Sequence, residues 1–317
     1  MKIYFQIVIR FMAVGGIITR GVGGLFEIEL DNKETISCRA KGNFKREIGK
    51  LAVGDRVFVD TDDNGNRIIS EIAPRKNSLI RPAMANLDRI FVTIPAKDPI
   101  PDLFTVDKLT AIAHHQGIKC SIVITKNDLD MQYAKELKEI YSITGYDTFC
   151  VGDKDDDGVK ELLDYYKQNC KDEICAFSGA SGVGKSTLMN KLFKTLSLET
   201  SHISEKIARG RHTTRAVTLY SAKKLLGEGE GYLADTPGFT MLDFERFDFF
   251  GKEDLVNNFI EFEPCIGKCR YTDCTHLCDQ ECAVLSAIDE GRIAKSRHES
   301  YVMLYHILKN KHAWDKK

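Results

Sequence analysis

The sequence predicts a multidomain protein with a small all-β barrel, then a parallel α/β domain, then a short, mainly helical segment that binds a metal ion. Short strand-like runs punctuated by Gly and Asn-Gly turns predict the barrel. From about residue 86, apolar strand-like runs alternate with helical patterns, which predicts a parallel sheet. Five of the ten cysteines fall within residues 265–282, and this clustering predicts the metal site.

Composition excludes several classes of protein. The 317 residues are enough for two or three domains, and a hydrophobic content of 43% excludes a disordered chain. The 45 Lys+Arg against 46 Asp+Glu exclude a uniformly basic coat for nucleic acid, so any contact with RNA must come from local patches. The scattered distribution of the other cysteines indicates a reducing compartment, and we expect a cytoplasmic protein that does not enter a membrane.

The first twelve residues, MKIYFQIVIRFM, imitate a secretory signal because Lys2 precedes a short apolar run. Gln6 and Arg10 interrupt that run, and no small-residue cleavage site follows it. We therefore expect either a first strand or, over residues 1–11, an N-terminal extension upstream of a start at Met12.

The barrel is predicted over residues 1–75 and is of the oligonucleotide-binding (OB) type. Its strands are expected in the runs GGIITRGVGGLFEIEL, ETISCRAKG, LAVGDRVFVD and RIISEIA. Barrels of this type often bind oligonucleotides, and four basic residues suit phosphate contact, although a solvated loop explains them equally well: Arg39, Lys41, Lys45 and Arg46. The basic, proline-flanked residues 76–84 are predicted to be a linker.

The α/β domain is predicted over residues 85–245. Its expected strands are LDRIFVTIPA, IKCSIVIT and EICAFSG, and its expected helices are TVDKLTAIAHHQG, AKELKEIYSITG and VKELLDYYKQN. Strands that alternate with helices in this way form parallel sheets, because each crossover helix returns the chain to the same edge.

A phosphate-binding loop follows the last of these strands. Residues 179–187 match G-x-x-x-x-G-K-S/T between a strand and a helix, so backbone N–H groups and the helix N-terminus would surround a phosphate. Lys185 would reach the β- and γ-phosphates, and the Ser186 hydroxyl would ligate Mg²⁺. A glycine-rich structural turn is the minority interpretation. The nucleotide-binding residues predicted here are Gly179, Ala180, Ser181, Gly182, Val183, Gly184, Lys185, Ser186 and Thr187.

Two further motifs indicate a guanine nucleotide. Downstream, Asp235-Thr-Pro-Gly238 ends an apolar strand in the pattern D-x-x-G, which in GTPases lies near Mg²⁺ and the γ-phosphate. Upstream, Thr125-Lys126-Asn127-Asp128 follows an apolar strand and is similar to the guanine-reading motif N-K-x-D. The Asp128 carboxylate can accept two N–H bonds from guanine, a pattern that adenine does not offer. A polar turn after a strand is the competing interpretation of this motif.

The order of these motifs indicates either an accidental match or a circular permutation of the domain. In an ordinary GTPase the guanine motif follows the phosphate-binding loop and the D-x-x-G motif, whereas here it precedes both. A parallel α/β domain can be cut and rejoined in this way where its termini lie close together at the surface.

The order T-K-x-D, G-x-x-x-x-G-K-S, D-T-P-G and then a Cys/His cluster resembles the RsgA (YjeQ) family, which are circularly permuted GTPases of small-ribosomal-subunit biogenesis. The resemblance extends from about Met12 onward. It implies an OB domain, a permuted GTPase domain and a zinc domain, the last over residues 246–317. It also implies GTP hydrolysis stimulated by the small subunit, with GTP or GDP and rRNA as partners and Mg²⁺ accompanying GTP. We expect a monomer.

The resemblance also assigns the segment Gly210-Arg211-His212-Thr213-Thr214 to the first switch. Thr213 or Thr214 would close on Mg²⁺, and His212 is a candidate for orienting the attacking water. Contact between His212 and rRNA, together with the neighbouring arginines, is the alternative. The stretch DTFCVGD has no S-A-type motif for contacting the base, so no residue there is assigned to that role.

The cysteine window offers six candidate ligands, enough for a closed tetrahedral zinc site, and spacing alone does not choose among them. The family pattern C-x4-C-x-H-x5-C implies one structural zinc ion per chain, held by Cys269, Cys274, His276 and Cys282. Cys265 and Cys278 would then be additional thiols. Basic residues further along the chain are possible RNA contacts: Arg292, Lys295 and Arg297.

The sequence therefore predicts a GTP hydrolase that acts in late assembly of the small ribosomal subunit and leaves its rRNA according to nucleotide state. Two alternatives belong to other classes. One is a zinc-containing RNA-binding protein that uses GTP only as a regulatory switch, and the other is a P-loop ATPase.

Overall fold

The computed structural model describes residues 13–40, 51–80, 83–153, 156–199, 217–223, 230–235, 250–277 and 280–310. The chain divides into two compact units. The first comprises residues 1–87, 171–176 and 196–237, and the second comprises residues 88–170, 177–195 and 238–317. The expected extension over residues 1–11 lies outside the described residues.

The described strands are β1 (Val14–Val22), β2 (Leu25–Leu30), β3 (Thr35–Ala40), β4 (Arg56–Thr61), β5 (Arg67–Ile72), β6 (Ser78–Ile80), β7 (Ala83–Ala85), β8 (Arg89–Pro95), β9 (Lys119–Thr125), β10 (Asp147–Val151), β11 (Ile174–Ser178), β12 (Thr218–Ser221) and β13 (Tyr232–Asp235). The described α-helices are α1 (Leu103–His115), α2 (Met131–Ile143), α3 (Asp156–Asn169), α4 (Lys185–Glu199), α5 (Ala283–Asp289) and α6 (Lys295–Lys309). Short 3₁₀ helices span Asn127–Leu129, Leu255–Asn258 and Ile260–Cys265.

The predicted barrel is present in the first unit. Its five strands pair in the closed order β1-β2-β3-β5-β4, with β4 returning to β1, and only β3 and β5 are parallel. Alternate residues of the strands point inward, so Ile18, Ile28, Val57 and Ile69 are fully enclosed in its core. Arg39 is exposed on β3, while Lys41, Lys45 and Arg46 lie outside the described residues.

Residues 76–84, predicted to be a linker, contribute to a small hairpin of β6 and β7. Leu79 and Met84 of this hairpin are buried, and the Asn77 side chain both donates to the Leu87 carbonyl and accepts from the Leu87 N–H. The segment therefore has its own packing and hydrogen bonds.

The first unit also holds the strands next to the predicted switch segments. β12 pairs with β13 in antiparallel fashion, and Thr218 of β12 pairs with Arg20 of β1. The Tyr232 hydroxyl of β13 donates to the Glu29 carboxylate of β2 over 3.0 Å. These strands are thus bonded directly to the barrel.

The second unit contains the predicted parallel sheet. Strands β8, β9 and β10 pair in the order β10-β9-β8, all parallel, and every residue of β8 is buried. Helices α1, α2 and α3 lie between or after these strands in the chain, in agreement with the predicted alternation, but strand β10 was not predicted. Because the strands are parallel, the loops after β8, β9 and β10 emerge at one edge of the sheet.

The C-terminal residues are mainly helical, as predicted, and they overturn one expectation about RNA contact. Arg297 of α6 is completely buried, whereas Arg292 and Lys295 are exposed. The guanidinium of Arg297 donates to the carboxylates of Asp107 and Glu261, each over 2.7 Å. A buried guanidinium cannot reach a phosphate, so the prediction of Arg297 as an RNA contact was wrong. Among the described residues, no helix is both long and apolar enough to cross a bilayer.

Candidate nucleotide site and metal centre

The predicted phosphate-binding loop connects β11 to α4, in the strand–loop–helix context that the sequence predicted. A Cβ atom on Gly179 would lie 2.0 Å from Thr93 Oγ1, and the Thr93 hydroxyl donates to the Ser178 carbonyl over 2.5 Å. Gly182 and Gly184 have φ angles of 82° and 95°, which residues with a side chain rarely adopt. Glycine is therefore required at these positions by close approach or by backbone conformation.

The polar residues of this loop lie at the N-terminus of α4. Lys185 is the first helical residue, and its Nζ donates to the Gly179 carbonyl over 3.3 Å. Ser186 and Thr187 follow it and are exposed, as are Ala180 and Ser181. Residues 185–187 lie in the first helical turn, where backbone N–H groups lack partners within the helix, and this position suits an anionic ligand.

The T-K-x-D motif lies beside this loop and is hydrogen-bonded to it. The Thr125 hydroxyl, at the end of β9, donates to the Val183 carbonyl. The ammonium of Lys126 donates to the Gly182 carbonyl over 2.8 Å and also to the Asp98 carbonyl, in the loop after β8. The sequence predicted both motifs, and the structure brings them together.

Asp128 presents an exposed carboxylate next to the loop that follows β10. Its Oδ1 accepts the Asp153 N–H over 3.0 Å. Gly152 lies so close that a Cβ atom there would be 2.2 Å from Asn127 Oδ1 and 2.8 Å from Asp128 Oδ1. Asn127 Oδ1 is buried and has no hydrogen-bond partner among the described atoms.

Gly152 and Asp153 were therefore missed by motif reading, because no S-A pair marks them. A signal was available in the strand pattern. Val151, the last residue of β10, pairs with Thr125, the last residue of β9. The loops that follow two paired parallel strands must emerge side by side, so topology alone places the residues after β10 beside the T-K-x-D motif.

The predicted switch residues lie largely beyond what the structure describes. Asp235 ends β13, as expected for a D-x-x-G motif after an apolar strand, but only its backbone is described. Gly238, His212, Thr213 and Thr214 lie outside the described residues.

The structure brings together the four residues of the predicted zinc site: Cys269, Cys274, His276 and Cys282. Their ligand atoms all lie within 4.8 Å of one another. His276 Nδ1 is 3.4–3.5 Å from the three sulfur atoms, and the Cys269 and Cys282 sulfurs are 3.9 Å apart. Tetrahedral zinc with bonds of about 2.3 Å to sulfur and about 2.0 Å to nitrogen gives edges of about 3.8 Å and about 3.5 Å. The four residues therefore fit zinc.

Hydrogen bonds around the cluster hold its ligands in place. The ring of His298 on α6 donates from Nε2 to the His276 carbonyl over 2.7 Å, and the Tyr301 hydroxyl donates to the Thr275 carbonyl over 3.0 Å. The Ala283 N–H donates to Cys269 Sγ over 3.3 Å. Cys265 is buried but does not belong to the cluster, and Cys278 lies outside the described residues. Outer contacts of this kind orient metal ligands.

Comparison with known proteins identifies the family. The model of the RsgA GTPase family matches residues 72–245, and the model of the RsgA N-terminal domain matches residues 15–69. A relative from Ruminiclostridium cellulolyticum, named small ribosomal subunit biogenesis GTPase RsgA, is 37% identical over 93% of this chain and 94% of its own length. A relative of the same name from Alkaliphilus metalliredigens is 36% identical over 93% of this chain and 98% of its own length.

Solved structures agree with this assignment. The chain is similar to YjeQ from Thermotoga maritima, with a TM-score of 0.77 and 30% identity over 95% of this chain and 100% of the other. It is also similar to YloQ, described as a circularly permuted GTPase, with a TM-score of 0.73 and 26% identity over 95% of this chain and 96% of the other. The permuted motif order agrees with that description, and this chain is a member of the RsgA family of circularly permuted GTPases.

Proposed function

We propose that this GTPase acts in the cytoplasm during late maturation of the small ribosomal subunit, that the subunit stimulates its GTP hydrolysis, and that nucleotide state controls its release from rRNA. The observation that carries the guanine-nucleotide part is the hydrogen-bonded junction between the T-K-x-D motif and the phosphate-binding loop. The relatives' name supports the subunit as partner. A P-loop ATPase is not favoured.

Within this proposal, the residues around the phosphate-binding loop have different roles in binding the nucleotide and in hydrolysis. The Asp128 carboxylate accepts N–H bonds from guanine, and the backbone of residues 179–184 donates to the phosphates. Lys185 pairs with the β- and γ-phosphates, and the Ser186 hydroxyl would hold Mg²⁺, which when bound neutralises charge on the transferred phosphate. Asp235 and Gly238 belong to the second switch. Thr213 or Thr214 completes the site, and His212 orients water.

The C-terminal residues 246–317 form the proposed zinc domain, with one structural ion on the cluster described above. The chain leaves the second switch near Gly238 and enters this domain directly, so nucleotide state can bias it through the covalent connection. Contact with rRNA is assigned to the barrel, the first switch and the exposed Arg292 and Lys295. We propose that the protein acts as a monomer.

Hydrolysis measured with and without purified small subunits tests the proposal. We expect GTP turnover to rise when small subunits are added and to stay at its basal level with large subunits. Lys185→Ala should lower stimulated turnover by at least about 100-fold, because the charge that develops on the transferred phosphate loses its cation. Equal turnover with either subunit would contradict the ribosomal assignment and leave the regulatory-switch alternative standing. Normal turnover in Lys185→Ala would contradict the assignment of the phosphate-binding loop.

A second prediction concerns the base. Replacing Asp128 by Asn removes a charged acceptor and supplies an amide N–H that can donate to the C2 carbonyl of xanthine. We expect Asp128→Asn to weaken GTP binding by about 10-fold to 100-fold and to improve binding of xanthosine triphosphate. Competition between the two nucleotides measures this change. Asp130→Asn, which alters the N-cap of α2 two residues away, is the matched control. An unchanged preference in Asp128→Asn would refute base reading by this residue.

A further inference from the structure

The side chain of Lys191 connects the helix of the phosphate-binding loop to the loop beside Asp128. Lys191 lies on α4, and its Nζ donates to the Gly152 carbonyl over 2.6 Å and to the Asp153 carbonyl over 2.5 Å. The same ammonium is 3.9 Å from the Asp153 carboxylate. The Lys191 side chain is only 21% exposed, whereas the Asp153 side chain is 70% exposed. The main attachment is therefore to the backbone, through an ammonium group on a side chain that is itself mostly buried.

The bonded loop in turn holds Asp128. The N–H of Asp153 donates to Asp128 Oδ1, which uses one lone pair and fixes the plane of the carboxylate. A carboxylate can pair with two adjacent N–H groups of a base only when its plane is correctly set. Lys191, the backbone at 152–153 and Asp128 thus form a continuous chain of hydrogen bonds.

A glycine at this position leaves the supported backbone less constrained than another residue would. The loop after β10 has Gly152 where a larger residue would collide with Asn127, and glycine leaves the backbone less constrained than other residues do. A fixed ammonium that donates to two carbonyl groups restricts this backbone. Its attachment to α4 also places the restraint on the helix that begins at Lys185.

We propose that Lys191 is a positioning residue for guanine recognition, acting through Gly152 and Asp153 on the Asp128 carboxylate. This inference rests on the proposed function, in which Asp128 reads guanine. Guanine offers two N–H groups to the carboxylate, whereas hypoxanthine, which lacks the 2-amino group, offers one. Loss of the correct carboxylate orientation should therefore weaken the binding of guanosine nucleotides more than the binding of inosine nucleotides.

The test is the ratio of the Kd for inosine diphosphate to the Kd for guanosine diphosphate, measured on the full chain. We expect Lys191→Met to lower this ratio by about threefold to tenfold. Lys191→Arg, which retains a cationic donor, should restore most of it. Lys160→Met is the matched control, because it removes the same charge from an exposed position on α3 and should leave the ratio unchanged. If Lys191→Met does not fold, Lys191→Gln is to be measured in its place.

If Lys191 had a purely structural role, Lys191→Met would weaken the binding of both nucleotides equally. An unchanged ratio of the two Kd values in Lys191→Met would therefore overturn the inference. In an Asp128→Asn background, adding Lys191→Met should change the ratio no further, because both residues act through one contact. The same measurements distinguish failure of this inference from failure of the proposed function. If Asp128→Asn itself leaves the ratio unchanged, base reading by Asp128 fails. If Asp128→Asn alters the ratio and Lys191→Met does not, only the role of Lys191 fails.

Discussion

Cys282→Ser is expected to abolish stoichiometric zinc binding and to unfold the segment around residues 266–282. Zinc binding contributes about 10–16 kcal/mol in isolated zinc-finger peptides, so its loss removes most of what orders a short segment. Loss of an outer contact costs about 10-fold to 100-fold in metal affinity, and loss of a ligand should cost more. Metal content per chain and the rate of proteolysis within this segment are the measurements.

Cys265→Ser provides a matched control for this prediction. Cys265 is equally buried and lies in the preceding 3₁₀ helix, but its sulfur is outside the four-residue cluster. We expect it to retain one zinc ion per chain and the protease resistance of the original protein. Zinc retained at full stoichiometry in Cys282→Ser, or lost in Cys265→Ser, would show that the ligand set is wrong.

The second large effect is expected at the buried guanidinium. Arg297→Met should lower the free energy of unfolding by about 3–5 kcal/mol, because it leaves two buried carboxylates without their cation. Arg297 and Asp107 are fully enclosed, and Nε and Nη2 of Arg297 donate to the two carboxylate oxygens of Glu261 over 2.7 and 3.1 Å. Urea unfolding followed by circular dichroism measures the change. Arg292→Met, at an exposed ion pair with Glu290, should cause little change.

This destabilisation should depend on pH with a definite sign. Burial raises the pKa of Asp107, while the facing guanidinium opposes that rise. Removing the guanidinium should raise this pKa further, so that the folded variant favours the protonated carboxyl. An acid with a raised folded-state pKa contributes stability that is present below its unfolded-state pKa and is lost as pH rises through its folded-state pKa. The loss in free energy of unfolding caused by Arg297→Met should therefore become smaller as pH falls. A loss in free energy of unfolding that is independent of pH would contradict this account.

The motifs assigned to phosphate and metal binding could be predicted because the chemistry proposed for them depends on residues close together in the chain. Glycines at 182 and 184 are required by local backbone angles, and Lys185 begins the helix that follows. The spacing of the cysteines likewise allows one short loop to bring four ligand atoms within 4.8 Å of one another, although choosing four ligands among six needed the family resemblance. The barrel and the alternating α/β pattern were predicted from periodicity, which reports directly which face of each element is buried.

The burial of Arg297 and the position of the loop after β10 were harder to predict, because both depend on residues that are far apart in the chain. Arg297 looks like a surface residue in a basic stretch, and its burial depends on Asp107, 190 residues earlier in the chain. Gly152 and Asp153 carry no motif, and they meet Asp128 only because β9 and β10 are adjacent and parallel.

From the sequence alone we predicted the domain types, the candidate phosphate-binding loop, the candidate guanine motif and the permuted order of the motifs, since each depends on residues that are near one another in the chain. The tertiary structure alone decided that Arg297 is an internal cation and that Lys191 reaches the loop beside Asp128. Both depend on groups that are far apart in the chain and meet only in the folded protein, and for Arg297 the partners share a low-dielectric interior where an unpaired charge is costly. Local sequence patterns do not show which distant residues become neighbours in the folded protein, so they could not predict these contacts.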